Sequence, residues 1–241
     1  MQYLATEIDH VAIAVPDRAP AISRFVNELG AGVVASGRRS GSTIDQLNFR
    51  NGNKLEILGP DLQHKLGNRM IDFLDKHGST IHHVTLNVQS VATAVQILED
   101  NGINAVGVSV SEKHYQEAYI SPKDTGGILV QLSWKDVDDE GWAKRHGHIP
   151  TVHSVNASEF IGLRVVVEQP DLSANRWAVF GAEIDSNKNG YTASWGNGSL
   201  SIEFMSGESV GEQTLLFGGS EHYERSVEYG PQVCGILGGG N

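Results

Sequence analysis

Apolar and polar residues alternate along Ile8-Asp9-His10-Val11-Ala12-Ile13-Ala14-Val15, as in a strand with one buried face. Ile81-His82-His83-Val84-Thr85-Leu86-Asn87-Val88 repeats the pattern 73 positions later, and superposing the two runs sets His10 on His83. A helical pattern follows each strand. Asp17 caps one helix, with Ile22, Phe25, Val26 and Leu29 inward and a stop at Gly30. Ser90 caps another, with Ala94, Val95 and Leu98 inward and a stop at Asn101-Gly102. Both units then close with strands, the last being Lys54-Leu55-Glu56-Ile57-Leu58 and Leu129-Val130-Gln131-Leu132-Ser133, so that Glu56 matches Gln131.

Between the two units, residues 61–78 read as a linking helix, with Leu66, Met70, Phe73 and Leu74 inward and Gly78 ending it. A third unit follows the His-rich stretch Arg145 to His153. Gly162-Leu163-Arg164-Val165-Val166-Val167 is its first strand, and Pro170-Asp171 opens a helix through Trp177, Val179 and Phe180 to Gly181. Leu200-Ser201-Ile202-Glu203-Phe204 closes the unit. Glu203 takes the place of Glu56, yet no His stands where His10 and His83 do. The remaining residues are too few for a complete fourth copy, and the tail Gly238-Gly239-Gly240-Asn241 is expected to be mobile. The expected organisation is α+β. Its parts are a first module at 1–60, the linking helix, a second module at 79–136, a linker at 137–158, and a third, degenerate module with its tail at 159–241.

A chain of 241 residues with 39% hydrophobic content can bury an ordinary core. Its net charge of -11 argues against nucleic acid as a partner, because phosphate binding needs clustered Lys and Arg. The one tight pair, Arg38-Arg39, sits in a Gly/Ser-rich turn, and the four Trp are too scattered for a base-stacking platform. A small anionic substrate fits this charge if a few cations line one pocket. The lone Cys234 excludes an internal disulfide framework and a cysteine-based zinc module. No apolar run is long enough to span a bilayer, and the first residues, MQYLATEIDH, lack a signal-peptide pattern, so no membrane role and a cytoplasmic protein are expected.

A single His in an apolar strand, or a single Glu beside Leu and Ile, is ordinarily a structural residue. Here the repeat places one imidazole and one oxygen ligand on the first and last strands of two equivalent units. If the units pair about a pseudo-twofold axis, His10, Glu56, His83 and Gln131 converge as a four-ligand site. Two imidazoles, a carboxylate and an amide oxygen suit a borderline divalent metal such as Co, Ni, Zn, Mn or Fe, with room for a substrate to chelate through two neighbouring oxygens. His82 must point to the opposite face from His83. Lys123, before the Gly126-Gly127 turn, is the candidate for a substrate phosphate or carboxylate. His146, His148 and His153 lie in a polar segment that reads as a solvated linker rather than a second metal site.

Four separated motifs, in order, carry a family resemblance: Ile8 to Asp17, Asn53 to Pro60, Ile81-His82-His83-Val84, and Ser121 to Leu132 with its Pro122-Lys123-Asp124-Thr125-Gly126-Gly127 core. Residues 7–134 resemble the vicinal oxygen chelate (glyoxalase/bleomycin resistance/dioxygenase) superfamily, and within it the methylmalonyl-CoA epimerases. The resemblance implies glyoxalase-like βαβββ modules, two paired and here followed by a third partial one. It also implies a divalent metal held at His10, Glu56, His83 and Gln131.

Two departures qualify the chemistry. Epimerases and glyoxalases carry a Glu that touches the metal and moves a proton where this chain has Gln131, an amide without useful basicity. The other carboxylate of the epimerase pair falls near Asp45-Gln46: a gapped alignment sets Gln46 there, and a one-residue shift sets Asp45, which is the candidate base, with Gln131 the other catalytic position. The resulting expectation is a metal-dependent isomerase, epimerase or lyase acting on a small acid, ketone or acyl-CoA thioester, and assembled as a homodimer. The alternatives are an Fe(II) extradiol-type dioxygenase, using His10, His83 and Glu56, and a non-catalytic protein that sequesters a drug or other ligand.

Overall fold

A computed structural model describes residues 4–39, 41–63, 68–196, 198, 200–219, 224–225 and 232–237. Leu66 and the tail 238–241 lie outside the described residues. The fold is α+β, with strands in two sheets and few helices. Its elements repeat. The first set is β1 (Ala5–Ala14), α1 (Arg18–Leu29), β2 (Gly32–Arg39), β3 (Ser42–Asn48) and β4 (Lys54–Pro60). After α2 (Arg69–His77) the second set is β5 (Thr80–Val88), α3 (Val91–Asp100), β6 (Ala105–Ser109), β7 (Tyr115–Ile120) and β8 (Val130–Lys135). After α4 (Asp139–Arg145) the third is β9 (Glu159–Val166), α5 (Pro170–Asn175), β10 (Glu183–Asn187), β11 (Gly190–Ser194) and β12 (Ser201–Met205). The chain continues with β13 (Gln213–Gly219), β14 (Glu224–Arg225) and β15 (Gln232–Leu237).

The third set, expected to be partial, therefore contains all five elements. Its neighbour order, β10-β11-β12-β9, matches β2-β3-β4-β1 and β6-β7-β8-β5. A reduced fourth copy follows: β13 pairs in parallel with β15, as β5 does with β8, and β14 pairs antiparallel with β15.

Two compact units organise the chain. The first comprises Met1–His10, His83–Asp138 and Gly162–Gln213. In it the Ala5–His10 part of β1 begins the order β1-β5-β8-β7-β6, against which α3 turns its buried face of Val91, Ala94 and Leu98. Ser90 starts this helix, its side chain accepting from Thr93 N. Strands β9 to β12 of this unit enclose an aromatic core in which Trp177 lies 5.6 Å from Phe180, 6.0 Å from Trp195 and 6.3 Å from Phe204. Trp177 satisfies its buried indole N–H by donating to Thr125 O at 2.9 Å.

The second unit comprises Val11–His82, Asp139–Ile161 and Thr214–Asn241. Its core is a cluster of Phe25, Phe49, Phe160 and Phe217, with ring centroids 5.0 to 6.2 Å apart. Asp17 caps α1 through Ala19 N, and Gly30 ends it at φ 71. Helix α2 starts at Arg69 rather than near Asp61, because Asn68 caps it through Met70 N. Met70, Phe73 and Leu74 of α2 then cover Ala12, Ala14 and Leu58. The segment expected as a linker holds α4 and is tied down beyond it. Val33 N donates to Thr151 Oγ1 at 2.7 Å, and Thr151 N, Ser154 N and Ser158 N donate to Val33 O, Gly30 O and Leu29 O at 2.8 to 2.9 Å. Gly32 permits this approach, since a Cβ there would meet Thr151 O at 2.3 Å.

His82 faces α2, its ring 4.7 Å from Phe73, and burial pushes its pKa down from 6.5 to about 4. Above pH 6.5 the imidazole is neutral whether the chain is folded or not. As pH falls from 6.5 to about 4 the unfolded chain takes up a proton that the folded chain refuses, so stability declines across that window. His82→Leu should flatten this decline by roughly 2 kcal/mol between pH 7 and 4. Urea midpoints measured across that range provide the check; an unchanged slope would mean that His82 titrates normally in the fold.

Candidate metal centre

Parallel pairing of β5 with β8 sets Thr85 beside Gln131, and antiparallel pairing of β7 with β8 sets Tyr119 on the other side of Gln131. Side chains two apart share a face, so this register gathers His83, Thr85 and Asn87 with Gln131, Ser133 and Lys135 and with Tyr115, Glu117 and Tyr119. His10 joins them from β1, its ring 5.6 Å from that of His83 in an edge-to-face arrangement. His10, His83 and Gln131 are each no more than 6% exposed, which obliges their polar atoms to find partners.

Partners fix the orientation of His10 and Gln131. His10 Nδ1 donates to Asp9 Oδ2 at 2.6 Å, which directs Nε2 into the face. Thr85 Oγ1, almost fully buried, lies 3.0 Å from His10 Nε2 and 2.7 Å from Gln131 Oε1. One hydroxyl hydrogen is thus set between two acceptor lone pairs, an arrangement that suits a cation at the same place. On its other side Gln131 Nε2 donates to Glu117 Oε2 at 2.7 Å and to Tyr119 OH at 2.9 Å, and Tyr115 OH lies 3.1 Å from it. Asp9 is braced in turn by Asn87 Nδ2, which donates to Asp9 Oδ1 at 3.1 Å and to Glu7 Oε1 at 3.0 Å.

Of the expected site residues, His10, His83 and Gln131 stand together in the first unit. Glu56 stands half-buried on β4 in the second unit, in register with Gln46. Asp45, expected as the proton-moving base, pairs with Ile57 and therefore lies on the opposite face of β3 from Gln46 and Glu56. There it is buried in an ion pair with Arg18 and accepts from Ser36 Oγ at 2.5 Å, an arrangement that serves α1 packing. Lys123 is exposed on the loop before β8, at a cavity of about 570 Å³ that Gly126, Gly127, Gln169 and Arg176 also line. Its carbonyl accepts from Arg176 at 3.0 Å. His146 is exposed and half-stacked on His148 at 6.1 Å, and His153 Nδ1 donates to Ser154 O at 3.0 Å.

The third copy fills the equivalent places differently. In β5 and β8 the residue paired with the ligand position is two beyond the histidine, Thr85 beside Gln131. In β9 and β12 the corresponding pair is Arg164 beside Glu203, which places Gly162 where His83 stands. A Cβ at Gly162 would meet Ser201 O at 1.9 Å, so no side chain fits. Arg164 donates to Glu203 through Nε at 2.8 Å and lies 2.7 Å away through a second nitrogen, neutralising that carboxylate.

Repeated βαβββ sets bearing a buried two-histidine face are the construction of glyoxalase-like proteins. The chain belongs to the glyoxalase/bleomycin resistance protein/dioxygenase superfamily, whose sequence pattern matches residues 9–119. It is 32% identical over 132 residues to the mitochondrial methylmalonyl-CoA epimerase of Homo sapiens, covering 52% of this chain and 72% of that protein. It is 31% identical over 131 residues to the ethylmalonyl-CoA/methylmalonyl-CoA epimerase of Cereibacter sphaeroides, covering 52% and 95% respectively. Among crystal structures, a hypothetical protein from Staphylococcus aureus matches 95% of this chain and 98% of its own, with a TM-score of 0.69 at 11% identity, a likeness of fold alone. The Mycobacterium tuberculosis methylmalonyl-CoA epimerase matches 59% of this chain and 96% of its own, with a TM-score of 0.50 at 24% identity. Among the described residues no helix is long and apolar enough to cross a membrane.

Thr85→Val keeps the shape of the side chain while leaving Gln131 Oε1 and His10 Nε2 without their shared hydroxyl. A loss of about 1–2 kcal/mol of stability is expected. Urea unfolding reads it directly, and an unchanged midpoint would show that the hydroxyl does not bridge the two residues.

Proposed function

We propose that this protein is a divalent-metal-dependent enzyme of isomerase/epimerase or lyase type, with His10, Glu56, His83 and Gln131 as its ligand set. Its substrate is a small acid, ketone or acyl-CoA thioester that presents two neighbouring oxygens. The observation that carries this reading is the buried face of the first unit, where His10 Nε2 and Gln131 Oε1 meet at one hydroxyl beside His83. The chemistry of the donor set fits a borderline ion such as Co, Ni, Zn, Mn or Fe. The modules at 1–60 and 79–136 supply the two half-sites, and the module at 159–241 supplies none.

When bound, such an ion supplies Lewis-acid stabilisation of negative charge developing on a carbonyl or thioester oxygen. Asp9 holds the proton on His10 Nδ1 and keeps Nε2 as a lone-pair donor. Gln131 offers a neutral oxygen and moves no proton. Lys123, at the 570 Å³ cavity, receives an anionic group of the substrate. The names of the relatives support an acyl-CoA thioester as the substrate class. The protein acts in the cytoplasm as a homodimer in this reading, and analytical ultracentrifugation measures the second point.

One observation favours a second reading, non-catalytic ligand sequestration. Neither place where the resemblance calls for a proton-moving carboxylate provides one to this site, since Gln131 is an amide and Asp45 faces α1. Methylmalonyl-CoA incubated in D₂O separates the two. Catalysed deuterium uptake at the carbon next to the thioester belongs to the enzyme, and binding without uptake belongs to the sequestering protein.

Elemental analysis of the purified protein is expected to find one divalent ion per chain. His10→Ala and His83→Ala should each lower metal affinity by at least about a hundredfold, exceeding the usual cost of losing an outer partner, with the fold retained by circular dichroism. Protein that takes up none of Co, Ni, Zn, Mn or Fe, or wild-type metal content in both variants, would overturn the metal reading.

A further inference from the structure

A residue outside the ligand set decides how Gln131 presents itself. An amide can place either its oxygen or its nitrogen toward a neighbour, and a hydroxyl such as that of Thr85 accommodates both. A carboxylate cannot, because it only accepts. Glu117 Oε2 lies 2.7 Å from one end of the Gln131 amide and is itself held by Tyr119 OH, which donates to it at 3.0 Å. The end facing Glu117 must therefore be Nε2, which leaves Oε1 facing Thr85 and His10.

We infer that Glu117 is a positioning residue that locks the Gln131 amide with Oε1 toward His10, and that it is the reason position 131 is an amide in this chain. A glutamate at 131 would set two acceptor oxygens at the separation now spanned by an N–H donor, with no hydrogen between them. The register supports the assignment, since Glu117 pairs with Ser133 and lies diagonally across from Gln131 on the same face. The pair also sets the charge of the centre, in which position 131 contributes none and the anion stands behind the ligand. The inference deepens the proposed metal reading, although the amide orientation itself does not depend on it.

Two measurements test it on the full chain. In metal-free protein, Gln131→Glu should lower the melting temperature by about 5 °C. The exchanged double variant, Glu117→Gln with Gln131→Glu, restores one donor facing one acceptor and should recover most of that loss. A Gln131→Glu protein as stable as wild type, or an exchanged variant no better than the single one, overturns the inference. In cobalt(II) titrations followed by calorimetry, Glu117→Ala should weaken binding by about ten- to a hundredfold, and wild-type affinity in that variant also overturns it. Wild-type protein that binds no cobalt would sink the metal reading, while the metal-free variants would still decide the role of Glu117.

Discussion

The parallel register of β5 on β8 is the constraint on which the rest of the site depends. Because side chains alternate along a strand, the placement of Thr85 beside Gln131 determines that His83, Asn87, Ser133 and Lys135 share their face. A slip of one residue would turn all of them to the other side and bring Val84, Leu86, Val130 and Leu132 out of the core. Those four are fully buried, so the hydrophobic effect resists the slip. The polar site is thus positioned by apolar residues that take no part in it.

Polar groups gathered at such depth are costly unless they satisfy one another, and around His10 and Gln131 the first unit meets this demand in layers. Asp9 orients His10, Asn87 braces Asp9, Thr85 joins His10 to Gln131, and Tyr119 supports Glu117. Each layer removes a rotational choice from the one in front of it. The third copy keeps the same strand order but fills the equivalent register with an Arg164–Glu203 ion pair. The same backbone scheme thus accommodates a donor array in one copy and a closed salt bridge in another.

Much of this was legible in the chain, because periodicity and caps are local signals. Alternation located β1 and β5, Asp17, Gly30 and Ser90 marked helix ends, and the repeat drew attention to His10, His83 and Gln131, which share one face of the first unit. Misreadings arose where a partner was remote. Asp45 read as a base because nothing nearby announces Arg18, which reaches it from α1. Thr85 continued the two-residue period from His83, and Tyr115, Glu117 and Tyr119 alternated on a strand with no expected ligand, yet hydroxyls and a carboxylate in a strand also describe an ordinary solvated face. The reduced fourth copy was hidden because β13 is followed by no helical pattern, and the repeat is recognisable only from the parallel pairing of β13 with β15.

The contact over Gly162 limits what the third copy can become. The carbonyl of Ser201 stands 1.9 Å from the point where a Cβ at this position would sit, so the strands are packed for a glycine. Introducing histidine by a single substitution would require the two strands to separate, which the ladder between β9 and β12 opposes. The block at this one position closes the module to a histidine and suits it to serve as scaffold.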